Sequence, residues 1–277
     1  MRTVYLGTSG FAASVLERLA QSEHRPVLVV TRPDRPAGRG RKLTPPPVAE
    51  LAKRLGIDLD QPDDVNADDA RARIAAAEPD VVVVCAFGAL LREPLLSEFE
   101  LLNVHPSLLP RWRGAAPIER AIMAGDAETG VSIMRVTAGL DSGPVCLAAT
   151  EPIRPDDTYG SLAPRLEQLG ADLLVRALDE RPPCREQDDA QTTYAEKISA
   201  ADRTLDPKAP PEEQARVVRA LHPHIGARLP LEDGTFLGVQ RAQVAQDGAS
   251  LELLEVQPPG KRAMDAADYA RGHRLGS

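Results

Sequence analysis

DVVVVCAFGALL, residues 80–91, is the stretch on which the fold turns. In the strand Asp80 to Cys85 the aspartate is followed by a near-continuous run of valines, apolar at every position rather than at every second one. A strand that is apolar on both faces must be covered on both faces. That is the pattern of a central strand in a parallel sheet with helices on either side. The run is too short to cross a bilayer. Ala86-Phe87-Gly88 then leaves the strand at its carboxyl end, where open α/β sheets bind their ligands.

The same logic extends in both directions. Arg2 to Leu6 reads as a strand ended by Gly7. In GTSGFAASVLERLAQS, Ala12, Val15, Leu16 and Leu19 recur at helical spacing, and Pro26 to Val30 is a second strand. This is a β-α-β opening with no G-x-G-x-x-G, so a dinucleotide is not indicated. Helices are predicted over Val48–Leu55, Asp68–Ala77 and Pro117–Ala124, the last with Pro117 in its first turn. Leu101 to Val104 is a strand. Val131 to Val136 is another, paired with Val145 to Ala149. Asp157 to Leu178 is a long amphipathic helix with Leu162, Leu166, Leu169, Leu173 and Leu174 on its core side. The fold class is therefore α/β, with a Rossmann-like, doubly wound, mostly parallel sheet.

Composition shifts at Asp179. The polar, proline-containing stretch to Thr193 reads as a linker. Beyond it, Glu212 to Ala220 is a helix. Arg228-Leu229, Thr235 to Arg241, Gln243-Val244 and Ser250 to Val256 read as strands of a small barrel, with turns at Asp233-Gly234 and Asp247-Gly248. The expected boundaries are 1–179 for the Rossmann-like domain, 180–200 for the linker and 201–277 for the C-terminal domain.

Hydrophobic residues make up 43% of 277, enough for a real core, while aromatics are only 3%. The net charge of −8 argues against a protein that coats nucleic acid broadly, but not against a local basic patch. Such a patch exists. In TRPDRPAGRGRKLTPPPV, Arg32, Arg35, Arg39, Arg41 and Lys42 concentrate positive charge among prolines that forbid regular structure. The competing reading is a solvated loop. The three cysteines Cys85, Cys146 and Cys184 form no C-x-x-C pair, so neither a disulfide framework nor a zinc site is expected, and a cytoplasmic, reducing compartment follows. No segment resembles a leader or a membrane span, and a monomer is expected.

Three groups suited to acyl transfer lie close behind the central strand. Asn103 and His105 are two apart and share a strand face. Asp141, flanked by Gly139 and Gly143, must be brought to them by the fold. Taken singly each has a plain structural reading: a turn-capping amide, a satisfied histidine, a turn aspartate. Together they form an amide, an imidazole and a carboxylate at one sheet edge, the groups an acyl transfer needs.

The segments NVHPSLLPRWRGAAPIERAI, AGDAETGVSIM and GLDSGPV resemble the methionyl-tRNA formyltransferase family. So do GTSGFA, TRPDRPAGRGRKLTPPPV, TTYAEKI and LELLEVQPPGKRAM, in the same order over almost the whole chain. N-x-H-x-SLLP with a distant aspartate is common to formyltetrahydrofolate-dependent formyltransferases, whereas the PDRPAGRG loop is narrower. The resemblance implies formyl transfer from 10-formyltetrahydrofolate to the α-amine of charged initiator tRNA, without a metal. It implies Asn103, His105 and Asp141 as the catalytic set. Ser107, Leu108, Leu109 and Pro110 would form the folate wall, the five cations of the basic loop would contact tRNA, and the C-terminal barrel would be OB-like. The chain departs from the family pattern in the turn Leu221-His222-Pro223-His224-Ile225-Gly226, which lacks the usual aromatic. Two alternatives stay open: a formyltransferase acting on another amine, such as a nucleotide sugar or glycinamide ribonucleotide, and a non-catalytic RNA-binding protein.

Overall fold

The computed structural model describes residues 1–37 and 40–271. The chain begins β1 (Thr3–Gly7), α1 (Gly10–Ala20), β2 (Pro26–Val30), β3 (Arg35–Ala37) and β4 (Lys42–Thr44). It continues α2 (Pro47–Leu55), β5 (Asp58–Asp60), α3 (Asp68–Ala76), β6 (Val81–Cys85), α4 (Leu95–Glu98) and β7 (Leu101–His105). Then come β8 (Arg113–Gly114), α5 (Pro117–Ala124), β9 (Glu128–Arg135), β10 (Val145–Pro152), α6 (Tyr159–Glu180) and β11 (Tyr194–Ala195). The C-terminal part contains α7 (Pro211–Leu221), β12 (Ala227–Pro230), β13 (Phe236–Val244), β14 (Leu251–Gln257), β15 (Met264–Asp265) and α8 (Ala266–Ala270).

The main sheet has seven strands in the order β10-β9-β7-β6-β1-β2-β5. β1, β2, β5, β6 and β7 run parallel, and β9 runs antiparallel to β7. The doubly wound, mostly parallel sheet expected from the sequence is thus the observed one. The valine run is central: every residue of β6 is buried, and it pairs with β1 on one side and β7 on the other. Strand order reverses between β1 and β6, which opens a crevice at their carboxyl ends. α1 starts where Ser9 accepts a hydrogen bond from the Ala12 amide, and it buries Ala12, Val15, Leu16 and Leu19 as the periodicity predicted. On one face of the sheet Val4, Leu6, Val30, Ile74, Val82, Val84 and Leu101 form a continuous aliphatic core. Each fully buried Val or Leu there contributes about 1.5–3 kcal/mol of transfer free energy, which is how a chain so poor in aromatics folds.

The chain forms two compact units. The first comprises Met1–Arg113, Gly130–Glu151 and Pro164–Thr193; the second comprises Gly114–Thr129, Pro152–Ala163 and Tyr194–Ser277. The C-terminal barrel of the sequence reading takes the form of an antiparallel sheet in the order β12-β13-β14-β15. Leu205, Val218, Leu221, Ala227 and Val239 form one core of that unit, and Leu237, Val256, Ala266 and Tyr269 another. The two short strands expected at 235–241 and 243–244 are one strand. Its register shifts between Val239 and Ala242, a bulge that breaks the alternation on which sequence reading depends. In the turn that lacks an aromatic, the His224 ring stacks on Tyr159 with centroids 3.7 Å apart and bonds Glu119 through Nε2 at 2.9 Å. An imidazole thus supplies a stacking ring there.

Two further expectations are corrected. Prolines do not exclude regular structure from the basic loop: β3 and β4 form a two-stranded ribbon in which Pro36 faces Leu43. Such a ribbon has a free edge along each strand, where a missing N–H costs no ladder bond. Cys146 and Cys184 form a disulfide, because β10 and the segment after α6 run side by side, with Val145 and Arg185 exchanging both backbone hydrogen bonds at 2.8 Å. Nothing in the cysteine spacing signals that neighbourhood.

Candidate active site

Asn103 and His105 lie at the carboxyl end of β7, next to β6 and the crevice. Alternation sets them on one face, as expected. The amide of Asn103 has no hydrogen-bond partner among the described residues and is half-buried. His105 is buried, and both ring nitrogens have defined neighbours. Nε2 lies 2.9 Å from the Trp112 carbonyl, which can only accept, so Nε2 carries the hydrogen. Nδ1 faces Asp141, with Oδ2 3.7 Å away. That distance is long for a direct hydrogen bond and suits an approach that tightens when substrate binds. Nδ1 is therefore the ring nitrogen left facing the carboxylate.

Asp141 comes from the loop between β9 and β10. Its backbone is left-handed, with φ of 45°. Gly143 follows at a close approach, since a Cβ there would lie 2.0 Å from the Arg135 carbonyl. Arg135 N–H in turn donates to the Pro144 carbonyl at 2.9 Å.

The Ser107-Leu108-Leu109-Pro110 turn is pinned at both ends. Ser107 is buried and its hydroxyl donates to the Arg111 carbonyl at 2.6 Å, so it is spent on the turn rather than poised as a nucleophile. Ser132 on β9 donates to the Ser107 carbonyl at 2.8 Å and accepts from the Leu109 amide at 3.1 Å. Gly130 lies beneath Leu108, and a Cβ there would meet Leu108 Cδ2 at 2.6 Å and the Ala149 carbonyl at 2.1 Å. Leu108, Leu109 and Pro110 remain partly exposed beside the His105 end of β7.

Residues that sequence reading treated as linker pack here. Thr193 accepts from Trp112 N–H at 2.9 Å through Oγ1 and receives Arg113 N–H at 2.9 Å on its carbonyl. Gln187 bonds the Asp141 loop and Arg113. No motif marks these contacts, because polar side chains in a proline-containing stretch look alike whether solvated or docked.

The basic cluster divides. Arg32 donates to the Gly88 carbonyl at 2.7 Å, tying the loop to the end of β6. Arg35, Arg41 and Lys42 are exposed on the β3–β4 ribbon. Arg39 lies outside the described residues. Among the described residues no group of three or more His, Cys, Asp or Glu could hold a metal ion, and no helix is long and apolar enough to cross a membrane.

A parallel α/β sheet with an imidazole, a carboxylate and an amide at its carboxyl edge defines a class of α/β enzyme. The Formyl transferase family matches residues 1–178. Methionyl-tRNA formyltransferase of Halorhodospira halophila is 45% identical, with 99% of this chain and 97% of that protein covered. That of Methylococcus capsulatus is 44% identical, with 99% and 98% covered. Among solved structures, methionyl-tRNA formyltransferase from Clostridium thermocellum superposes with a TM-score of 0.65 at 13% identity, over 96% of this chain and all of that one. HypX from Aquifex aeolicus, in complex with tetrahydrofolic acid, gives 0.66 at 15% identity over 98% of this chain and 47% of that one. The chain belongs to the methionyl-tRNA formyltransferase family, and it is a formyltransferase.

Proposed function

We propose that this enzyme moves a formyl group from 10-formyltetrahydrofolate to the α-amine of methionyl initiator tRNA, with Asn103, His105 and Asp141 acting on the transition state. The observation that carries the reading is the approach of Asp141 Oδ2 to His105 Nδ1, at 3.7 Å, on the strand that also carries the half-buried Asn103 two residues earlier. The neutral amine attacks the formyl carbon. The new C–N bond forms, the bond from that carbon to folate N10 breaks, and N10 takes up the proton that the amine gives up. Asn103 donates to the developing oxyanion. Asp141, facing His105, accepts the amine proton, directly or through water. Each correctly aimed donor is worth about 3 kcal/mol in the transition state.

In this reading Ser107, Leu108, Leu109 and Pro110 line the folate side. The ribbon cations Arg35, Arg41 and Lys42, together with Arg32 and Arg39, meet tRNA phosphates, which supply affinity without reading sequence. The second unit adds binding energy away from the reacting amine. The whole acts in the cytoplasm as a monomer, a compartment that follows from the tRNA substrate and not from the cysteines, two of which are bonded. The test is transfer of labelled formyl to charged initiator tRNA, with charged elongator tRNA and an amino sugar as controls. Initiator tRNA should be the preferred acceptor, and Asp141→Asn and His105→Ala should each lower kcat by about 10² while leaving the KM for the folate little changed. Preferential formylation of the amino sugar would sink the substrate assignment, and near wild-type kcat in either variant would sink the residue assignment.

A further inference from the structure

Asp141 sits in a conformation it would not choose. A φ of 45° is left-handed, a region that residues with a Cβ enter at a cost, smaller for Asp and Asn than for most, and hold where their surroundings fix the loop. One side of the loop is fixed by β9, through Arg135 N–H on the Pro144 carbonyl at 2.9 Å. The other side is fixed by Gln187. Its Nε2 donates to two main-chain carbonyls of the loop, Asp141 at 2.8 Å and Gly143 at 2.7 Å. Its Oε1 accepts from Arg113 Nε at 3.0 Å, so the whole amide is used. Arg113 is itself a fixed post. Its side chain is only 5% exposed, and its other arm holds Asp189 at 2.8 Å. The segment carrying Gln187 is fastened just before it, by the Val145–Arg185 backbone pair and the Cys146–Cys184 bond.

We infer that Gln187 is a positioning residue for formyl transfer: with Arg113 behind it, it clamps the main chain at Asp141 and Gly143 and so holds the Asp141 carboxylate against His105. The inference rests on the proposed role of Asp141. Gln187 touches no reacting atom and acts only through the loop. Without the clamp the carboxylate wanders by a fraction of an ångström to an ångström, and misplacement on that scale costs about 10-fold to 10²-fold in rate. The folate side of the site is not involved, so the KM for the formyl donor stays as it is.

The experiment compares Gln187→Leu, Gln187→Glu, Asp141→Asn and the double variant Gln187→Leu/Asp141→Asn in the full-length enzyme. It measures kcat, the KM for both substrates, the pH profile of kcat and thermal unfolding. Gln187→Glu keeps a partner for Arg113 but turns a carboxylate toward two carbonyls, which separates removal of the clamp from removal of the buried cation's partner. Both single Gln187 variants should fold and lose about 10-fold in kcat with the folate KM within two-fold. In the Asp141→Asn background, Gln187→Leu should change kcat by less than about two-fold, because the group it positions is gone. Wild-type kcat in Gln187→Glu would overturn the clamp, as would an equal drop from Gln187→Leu in both backgrounds. An active Asp141→Asn enzyme would overturn the underlying assignment instead, and the two failures are distinguishable.

Discussion

Replacing Gly130 by alanine tests how tightly the turn over the site is built. The glycine lies in β9 beneath Leu108. A Cβ added there would stand 2.1 Å from the Ala149 carbonyl oxygen and 2.6 Å from Leu108 Cδ2. The leucine tip can swing away, but the carbonyl belongs to β10 and cannot. Carbon and oxygen tolerate about 3.4 Å, so the strand or the turn must move by about 1 Å. The backbone of Gly130 is not left-handed, so the penalty is overpacking alone, about 1–3 kcal/mol. Reduced freedom of the unfolded chain returns about 0.4–1 kcal/mol of that, leaving a net destabilisation of about 1–2 kcal/mol. For a domain of this size each kcal/mol shifts Tm by about 2–4 °C. Calorimetry should therefore show Tm lowered by about 2–8 °C. Because the displaced side chain belongs to the proposed folate wall, steady-state formylation should show the donor's KM raised about 10-fold, with a smaller change in kcat. Gly10→Ala serves as the control. It lies at the start of α1 with nothing within 4 Å of its added Cβ, and should be neutral or slightly stabilising. A Gly130→Ala enzyme with wild-type Tm and donor KM would refute the packing of Leu108 between β9 and β10.

Neutralising Arg35, Arg41 and Lys42 together should weaken tRNA binding and flatten its log–log salt dependence by about 0.7–0.9 for each phosphate no longer neutralised, with folate binding unchanged; an unaltered slope returns the ribbon to a solvated role. Alkylation followed by mass spectrometry should find no reactive thiol in the folded, oxidised enzyme, since Cys146 and Cys184 are bonded and burial pushes the Cys85 thiol up to about 12. Reduction should expose two thiols and, for a cross-link spanning 38 residues, lower stability by about 4 kcal/mol on the chain-entropy account, while Cys85 should react only on unfolding. The Asp202 carboxyl is held below the usual carboxylate range, first by its hydrogen bond from Arg120 at 2.8 Å. A depressed folded value stabilises above the ordinary carboxylate pH, and that stabilisation fades as pH falls toward the folded value. Asp202→Asn should therefore cost about 0.5–1 kcal/mol at neutral pH, and the gap should close below about pH 4 in chemical denaturation.

Periodicity alone carried much of this protein. The apolar run at Val81–Cys85 required a strand buried on both faces, and the helical spacing in α1 named its core residues, because both are local consequences of backbone geometry. The spacing of Asn103 and His105 determined that they share a face, and strand polarity put them at the ligand edge. The sequence could mark Asp141 between two glycines but not its distance from His105, since that follows from how β9 and β10 return beside β7. That His105 turns Nε2 to Trp112 and leaves Nδ1 facing Asp141 is likewise tertiary, because Trp112 reaches Nε2 only through a turn pinned by Ser132 and Thr193. Arg32 shows the limit for charge patterns: in sequence it is one cation of five, yet the fold also ties its guanidinium to the Gly88 carbonyl. The stretch from Asp179 to Thr193 shows the limit for composition. Polar residues without periodicity satisfy a solvated linker and a docked strap equally well. Only the chain's return past β10 joins Cys184 to Cys146 and sets Gln187 against the Asp141 loop.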